Sequence, residues 1–164
     1  MNYETDGHID DVCFFVRPGV LALSWTDDPE NPQYPNLKAA YDILSEATDA
    51  KGRKFEIHKI PIPAVLHISK EQSEGVDISE SASSREDGLP LAVTYINSYF
   101  VNGGLLVPQY DDPMDEVACK IFKEIMPERE IIKIYTKEWS MCGGNIHCMA
   151  LQQPDPAAIA ALKK

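Results

Sequence analysis

Three short stretches carry residues able to do chemistry: Gly7-His8-Ile9-Asp10, Tyr95-Ile96-Asn97 and Gly143-Gly144-Asn145-Ile146-His147-Cys148. A cysteine thiol is a strong nucleophile once ionised, and it needs a base or a nearby cation that favours the thiolate. A His and an Asp two residues apart share one face of an extended backbone, where they can move a proton or orient a charged group. That spacing puts His8 beside Asp10 and points Ile9 away. Taken alone, the tetrapeptide reads more simply as a solvated turn. His147 is next to Cys148 and would face the opposite side of a strand, so His8 is the better partner for the thiol. Gly143-Gly144 lets the backbone approach a ligand closely, and it serves equally well as a bend. His58 and His67 fall in a strand and a surface loop and receive no role.

The four cysteines, at 13, 119, 142 and 148, show no paired metal-site spacing. Cys13 lies in the apolar run Val12-Cys13-Phe14-Phe15-Val16, and Cys119 shares a helical face with Phe122, so both read as small core residues. The net charge is −11, from 26 acidic and 15 basic residues. Such a surface repels nucleic acid and anionic membrane and attracts small cations. No run of about 18 apolar residues is present to cross a membrane. The first residues, Met1-Asn2-Tyr3-Glu4-Thr5-Asp6, have neither a basic nor an apolar signal region, so the expected location is the cytoplasm.

The elements that must position these residues follow from patterning. Val12–Val16 and Val20–Leu23 flank the turn Arg17-Pro18-Gly19 and read as a hairpin. Leu37, Ala40, Tyr41 and Leu44 fall at helical spacing, and Lys54–Ile60 alternates like a strand. Residues 61–90 are rich in Ser, Glu and Asp and read as a long surface excursion. Then the pattern returns. Gly19-Val20-Leu21-Ala22-Leu23-Ser24-Trp25-Thr26-Asp27-Asp28-Pro29 aligns without a gap on Gly103-Gly104-Leu105-Leu106-Val107-Pro108-Gln109-Tyr110-Asp111-Asp112-Pro113, 84 positions later. A strand over Tyr95–Val101 precedes the second copy, and a helix with Val117, Ile121, Phe122 and Ile125 on one face follows it. Ile131-Ile132-Lys133-Ile134 closes the copy as a strand. The fold class is α/β, built from strand–strand–helix–strand units over 8–60 and 91–135. Each Asp-Asp-Pro is expected to cap its helix. Asn145–Leu151 reads as the first strand of an incomplete third unit starting at 143. Internal repeats imply units set around or along an axis.

Gly7–Asp10 with Phe15-Val16-Arg17-Pro18-Gly19 through Asp28 resembles the middle of agmatine deiminases. So do Tyr95–Gly104 and Gly143–Cys148 followed by Gln152-Gln153-Pro154. The resemblance covers residues 4–154 with its motifs in family order, and it implies the C-terminal half of such an enzyme. Bacterial peptidylarginine deiminases share the His-x-Asp and the terminal Cys. What the resemblance implies is part of a five-bladed pseudosymmetric α/β propeller of the pentein type, about two and a half units, with 1–154 catalytic and 155–164 a tail. It implies hydrolysis of agmatine to N-carbamoylputrescine and ammonia, a step in putrescine and polyamine metabolism. Cys148 would be the nucleophile, His8 the general acid/base and Asp10 a grip on the guanidinium. Glu4 and Asn145 would line the substrate pocket, with Asn97 secondary. The chemistry implied is a covalent amidino-cysteine intermediate with no metal or organic cofactor. The implied partners are the cationic guanidinium substrate and either a second copy or a complementing N-terminal half. Two alternatives stay open: a split fragment that is inactive without that half, and a related arginine or peptidylarginine deiminase. Met141-Cys142 stands where the family usually has Leu-Gly, and the family's Trp-x-Arg-Asp segment does not occur in this sequence.

Overall fold

The computed structural model describes residues 7–75, 77–80 and 85–156. Two three-stranded sheets carry the repeat. In the first, β1 (Cys13–Arg17) pairs antiparallel with β2 (Val20–Trp25), which pairs parallel with β3 (Glu56–Pro61). In the second, β4 (Tyr99–Val101), β5 (Gly104–Gln109) and β6 (Glu130–Tyr135) repeat that order and those directions. Arg17 pairs with Val20 at one hairpin, and Val101 with Gly104 at the other. Gly19 and Gly103 hold the same turn position at φ +82° and +77°, a left-handed conformation that a side chain makes costly. The repeat read in the sequence is therefore a repeat of structure.

Helix α1 (Tyr34–Glu46) crosses from β2 to β3, and α3 (Met114–Ile125) from β5 to β6. A parallel pair needs such a crossover, which covers the sheet face. The central strands β2 and β5 are accordingly buried almost throughout. Helix α3 packs against β6 of its own unit and β3 of the other. Its Ala118, Phe122 and Ile125 join Ala22, Ile60, Leu105, Val107 and Tyr95 in one core shared by both units. Phe14 of β1 sits 5.8 Å from Phe122 and 5.3 Å from Phe100, centroid to centroid. Helix α1 builds a smaller core with Leu23, Trp25, Leu37 and Ile62, where Lys59 lies over Trp25 at 3.6 Å and Tyr41 at 4.5 Å.

Several expectations need correction. The excursion after β3 is anchored: Ile62, Ile68 and Leu91 are buried. Ile68 and Leu89, and Leu66 and Leu91, are joined by backbone hydrogen bonds. It also holds a short helix, α2 (Lys70–Glu74), closed by a capping box on Ser69. The strand expected over Tyr95–Val101 shrinks to Tyr99–Val101, because Thr94 Oγ1 accepts from Ile96 N (3.0 Å) and Ser98 Oγ donates to Tyr95 O (2.6 Å). Such local side-chain bonds turn the backbone away from a ladder. The Asp-Asp-Pro motif does not cap α1, which starts later, at Tyr34, with a proline in its first turn. Asp28 instead accepts from Glu30 N (3.0 Å). Only Asp112 bonds the first residue of its helix, Met114 N at 2.8 Å. Among the described residues no helix is long and apolar enough to cross a membrane.

Candidate active site

Two turns, one leading into each half of the repeat, and a third after β6 meet at one point. Ile9–Asp11 is not extended but a single 3₁₀ turn, closed by Asp11 N to His8 O (3.1 Å) and Val12 N to Ile9 O (3.0 Å). The extended-strand reason for pairing His8 with Asp10 therefore fails. Asp11 faces inward at 3% exposure, while Ile9 stands out at 68%. The second turn carries Asn97, which is wholly buried.

Residues 145–150 are likewise a turn and not the strand expected there. Met149 N bonds Asn145 O (3.2 Å), and Ala150 N bonds His147 O (3.1 Å). Gly143, at φ +86°, ends the 3₁₀ turn Trp139–Cys142 ahead of it. Asn145 Oδ1 accepts from its neighbour's amide, Ile146 N, at 2.9 Å. Successive side chains in a helical turn diverge by about 100°, against about 180° in a strand. His147 and Cys148 thus both reach Asp10, and the reading that set His147 aside is corrected. Gly144 makes the arrangement possible: a Cβ there would lie 2.6 Å from Cys148 Cβ and 2.9 Å from its sulfur.

Asp10 Oδ2 is the meeting point. His147 Nδ1 lies 2.7 Å from it, Cys148 Sγ 3.4 Å and Asn97 Nδ2 3.3 Å. Burial by itself would raise the Asp10 carboxyl. The hydrogen bonds from His147 and Cys148 and the charge of His147 together outweigh it and hold the carboxyl below its ordinary range. Burial pushes the Cys148 thiol up, and Asp10 adds to that. The Asn145 backbone and the Asn97 amide pull the other way without reversing it. Together these influences favour a neutral thiol beside an ionised carboxylate, an arrangement suited to a cation. Asp10 and His147 also face a cavity of about 340 Å³, walled by Phe14, Tyr99, Phe100 and Gln152.

The remaining sequence-named residues are distributed unevenly. His8 is exposed, and its imidazole has no hydrogen-bond partner among the described residues. Asn145 is buried, with its amide nitrogen on Tyr110 Oη at 3.0 Å. Glu4 lies outside the described residues. Cys119 is buried, as read, and its thiol is raised by burial. Cys13 is half-buried and Cys142 exposed. His58 bonds Glu56 at 2.8 Å, away from the site. Sequence reasoning missed His147 and Asp11; the paired Asp10-Asp11 and the double glycine before the His-Cys pair were the available signals. Among the described residues no three His, Cys, Asp or Glu side chains are grouped to hold a metal ion.

The family model of Porphyromonas-type peptidyl-arginine deiminase matches residues 1–154. The chain belongs to that family. Within it, the chain is 46% identical over 158 residues to the agmatine deiminase of Pseudomonas fluorescens, covering 96% of this chain and 43% of that protein. The solved agmatine deiminase of Enterococcus faecalis superposes with a TM-score of 0.86 at 36% identity, over 94% of this chain and 42% of that one. The agmatine deiminase of C. jejuni gives 0.67 at 27% identity, over 88% and 36%. The chain thus spans about two fifths of the length of the relatives it matches. These family members share its α/β fold, and the Asp10–Cys148 cluster lies inside the stretch that the family model matches.

Proposed function

We propose that residues 1–154 are the C-terminal part of an agmatine deiminase catalytic domain; residues 157–164 of the expected tail lie outside the described residues. The two repeat units would be blades of a five-bladed propeller, and the stretch from 143 would open a third. The observation that carries the reading is the convergence of Cys148, Asp10 and Asn97, which come from three separate motifs and meet within 3.4 Å. The similarity to agmatine deiminases at 46% identity supports the choice of substrate.

A guanidinium resists attack because its charge is spread over three nitrogens, so the enzyme must hold it in plane and away from water. Asp10, ionised and half-shielded, would accept its N–H bonds in a charge-assisted pair. Burial and the Asp10 charge keep the thiol neutral; the arriving cation would offset that charge and so favour the thiolate. Cys148 gives its proton to His8, and its Sγ bonds the guanidinium carbon to give a tetrahedral adduct. His8 protonates one amino group, the C–N bond breaks and ammonia leaves an amidino-cysteine. Water, giving its proton to His8, adds to the same carbon. The C–S bond breaks, freeing N-carbamoylputrescine and the thiol. His8 stands two residues from Asp10 and is exposed, which leaves its ring free to turn toward the substrate.

A second reading has its own support. The chain spans 43% of its relative's length, and helix α1 leaves Ile43 70% exposed. We infer that the chain works with a complementary half, and that it is inactive or very weak in isolation. A missing charge-assisted contact to the guanidinium costs about 1.5–3 kcal/mol, or on the order of 10- to 150-fold in rate.

Two assays test the two readings. An amidine-bearing haloacetamidine should label Cys148 faster than neutral iodoacetamide does, and Cys142 should show no such preference. Ammonia release from agmatine should be near background and should rise when the N-terminal half of a relative is added. Preferential amidine labelling at Cys142 would sink the site; strong turnover by the isolated chain, lost in Cys148→Ala, would sink the second reading.

A further inference from the structure

Asn97 has no solvent exposure, yet every hydrogen-bonding atom of its amide is engaged by a different part of the cluster. Oδ1 accepts from His147 N (2.9 Å) and Cys148 N (3.3 Å). Those two donors decide which way the amide faces, because the flipped form would set an NH2 against two N–H groups. Nδ2 must then point the other way, toward Asp11 Oδ1 (2.9 Å), Cys148 Sγ (3.1 Å) and Asp10 Oδ2 (3.3 Å). Its two hydrogens go to the two shorter contacts and leave Asp10 the weakest share. The backbone of Asn97 adds a bond from His147 N to its carbonyl (3.3 Å).

We infer that Asn97 is the positioning residue of this site: one rigid amide fixes the Cys148 backbone through its oxygen and donates to the Cys148 sulfur through its nitrogen. Resting on the deiminase reading above, this gives Asn97 a role distinct from contact with substrate, since no atom of it reaches solvent. A donor aimed at sulfur favours the thiolate over the thiol. It offsets part of what burial and the Asp10 carboxylate do to the same sulfur. The link to Asp11, the buried last residue of the first 3₁₀ turn, keeps the amide from rotating away when Cys148 becomes amidinated.

Asn97→Asp is the informative change. It keeps the size and the acceptor toward the two backbone amides, and it replaces the donor toward sulfur with a carboxylate oxygen that disfavours the thiolate. Alkylation of Cys148 by iodoacetamide, followed by peptide mass spectrometry from pH 6 to 10 on the full chain, reads the thiolate directly. Exposed Cys142 serves as the internal reference in the same sample. The expected result is a Cys148-to-Cys142 labelling ratio lower by about tenfold or more near neutral pH, with the Cys148 midpoint moved up. Gln109→Ala, which removes a buried amide bonded to Pro108 O and Cys119 Sγ, should lower the melting temperature and leave that ratio unchanged. A folded Asn97→Asp chain with an unaltered ratio overturns the inference.

The unaltered protein supplies a second test that does not depend on the variant folding. The side-chain amide signal of Asn97 in 15N-labelled chain should titrate with the Cys148 midpoint, and a flat signal also overturns the inference. Failure of the deiminase reading looks different. There, Cys148 would show no preference for an amidine reagent, whatever Asn97 does to its thiol.

Discussion

Helix α3 buries Asp115, Ala118, Cys119, Phe122 and Ile125, whereas α1, at the same place in the first unit, buries only Leu37. The two helices cross equivalent sheets with the same strand order. What separates them is the neighbour: α3 lies between β6 of its own unit and β3 of the other, while α1 rests chiefly on its own β2. A unit of this kind thus completes its core only when the third strand of another unit covers its helix. That makes the shared core, more than either sheet, the source of the chain's stability.

The comparison can be broken by mutation. Phe122→Ala should cost the most, about 3–5 kcal/mol in urea unfolding, because it empties the core at the contact with Phe14. A loss no larger than that of exposed Ile43→Ala would refute the difference between the helices. Gly19→Ala and Gly103→Ala should each cost about 1–2 kcal/mol and match one another. Both sit at positive φ, and neither has an atom closer than 3.7 Å to an added Cβ, so the backbone term is isolated. Unequal values would show that the two hairpins are not equivalent. Arg17→Ala, which removes the bond from Nη1 to Ile125 O (3.0 Å) at the end of α3, should cost about 0.5–1.5 kcal/mol. Ile43→Asp should change stability by less than about 0.5 kcal/mol in the isolated chain.

The seam between units also has a pH signature. Asp10 is held below its ordinary range in the folded chain, so its contribution to stability is complete above the unfolded value near 3.8 and disappears as pH falls through the lower folded value. Acid titration of unfolding for wild type and Asp10→Asn should therefore converge at low pH and diverge above it. The gap should be modest, since the His147 side chain is 49% exposed.

The repeat, both hairpins, both long helices and both closing strands were legible in the sequence, because alternation, helical spacing and a glycine at each turn all agree there. The site was legible only as a set of motifs. Its geometry was hidden wherever polar side chains bend the backbone locally: Thr94 and Ser98 around Asn97, and Asn145 ahead of Cys148. A one-dimensional pattern reads those stretches as strands, since their apolar content is right. That error placed His147 on the wrong side and gave His8 and Asp10 a shared face. The excursion misled for the opposite reason, being polar in composition but pinned by a few residues such as Ile62 and Ile68.

The chain has two tryptophans, and they fall on opposite sides of this division. Trp25 is 8% exposed in the first unit, under the Lys59 ammonium, while Trp139 is 41% exposed in the 3₁₀ turn that leads to the Cys148 loop. Intrinsic fluorescence is therefore already a two-channel reporter. Acrylamide should quench the red edge of the emission band first, and Trp139→Phe should leave a blue-shifted band that is slow to quench. Any molecule that settles over the Cys148 loop should be visible in the Trp139 channel while the Trp25 channel stays still.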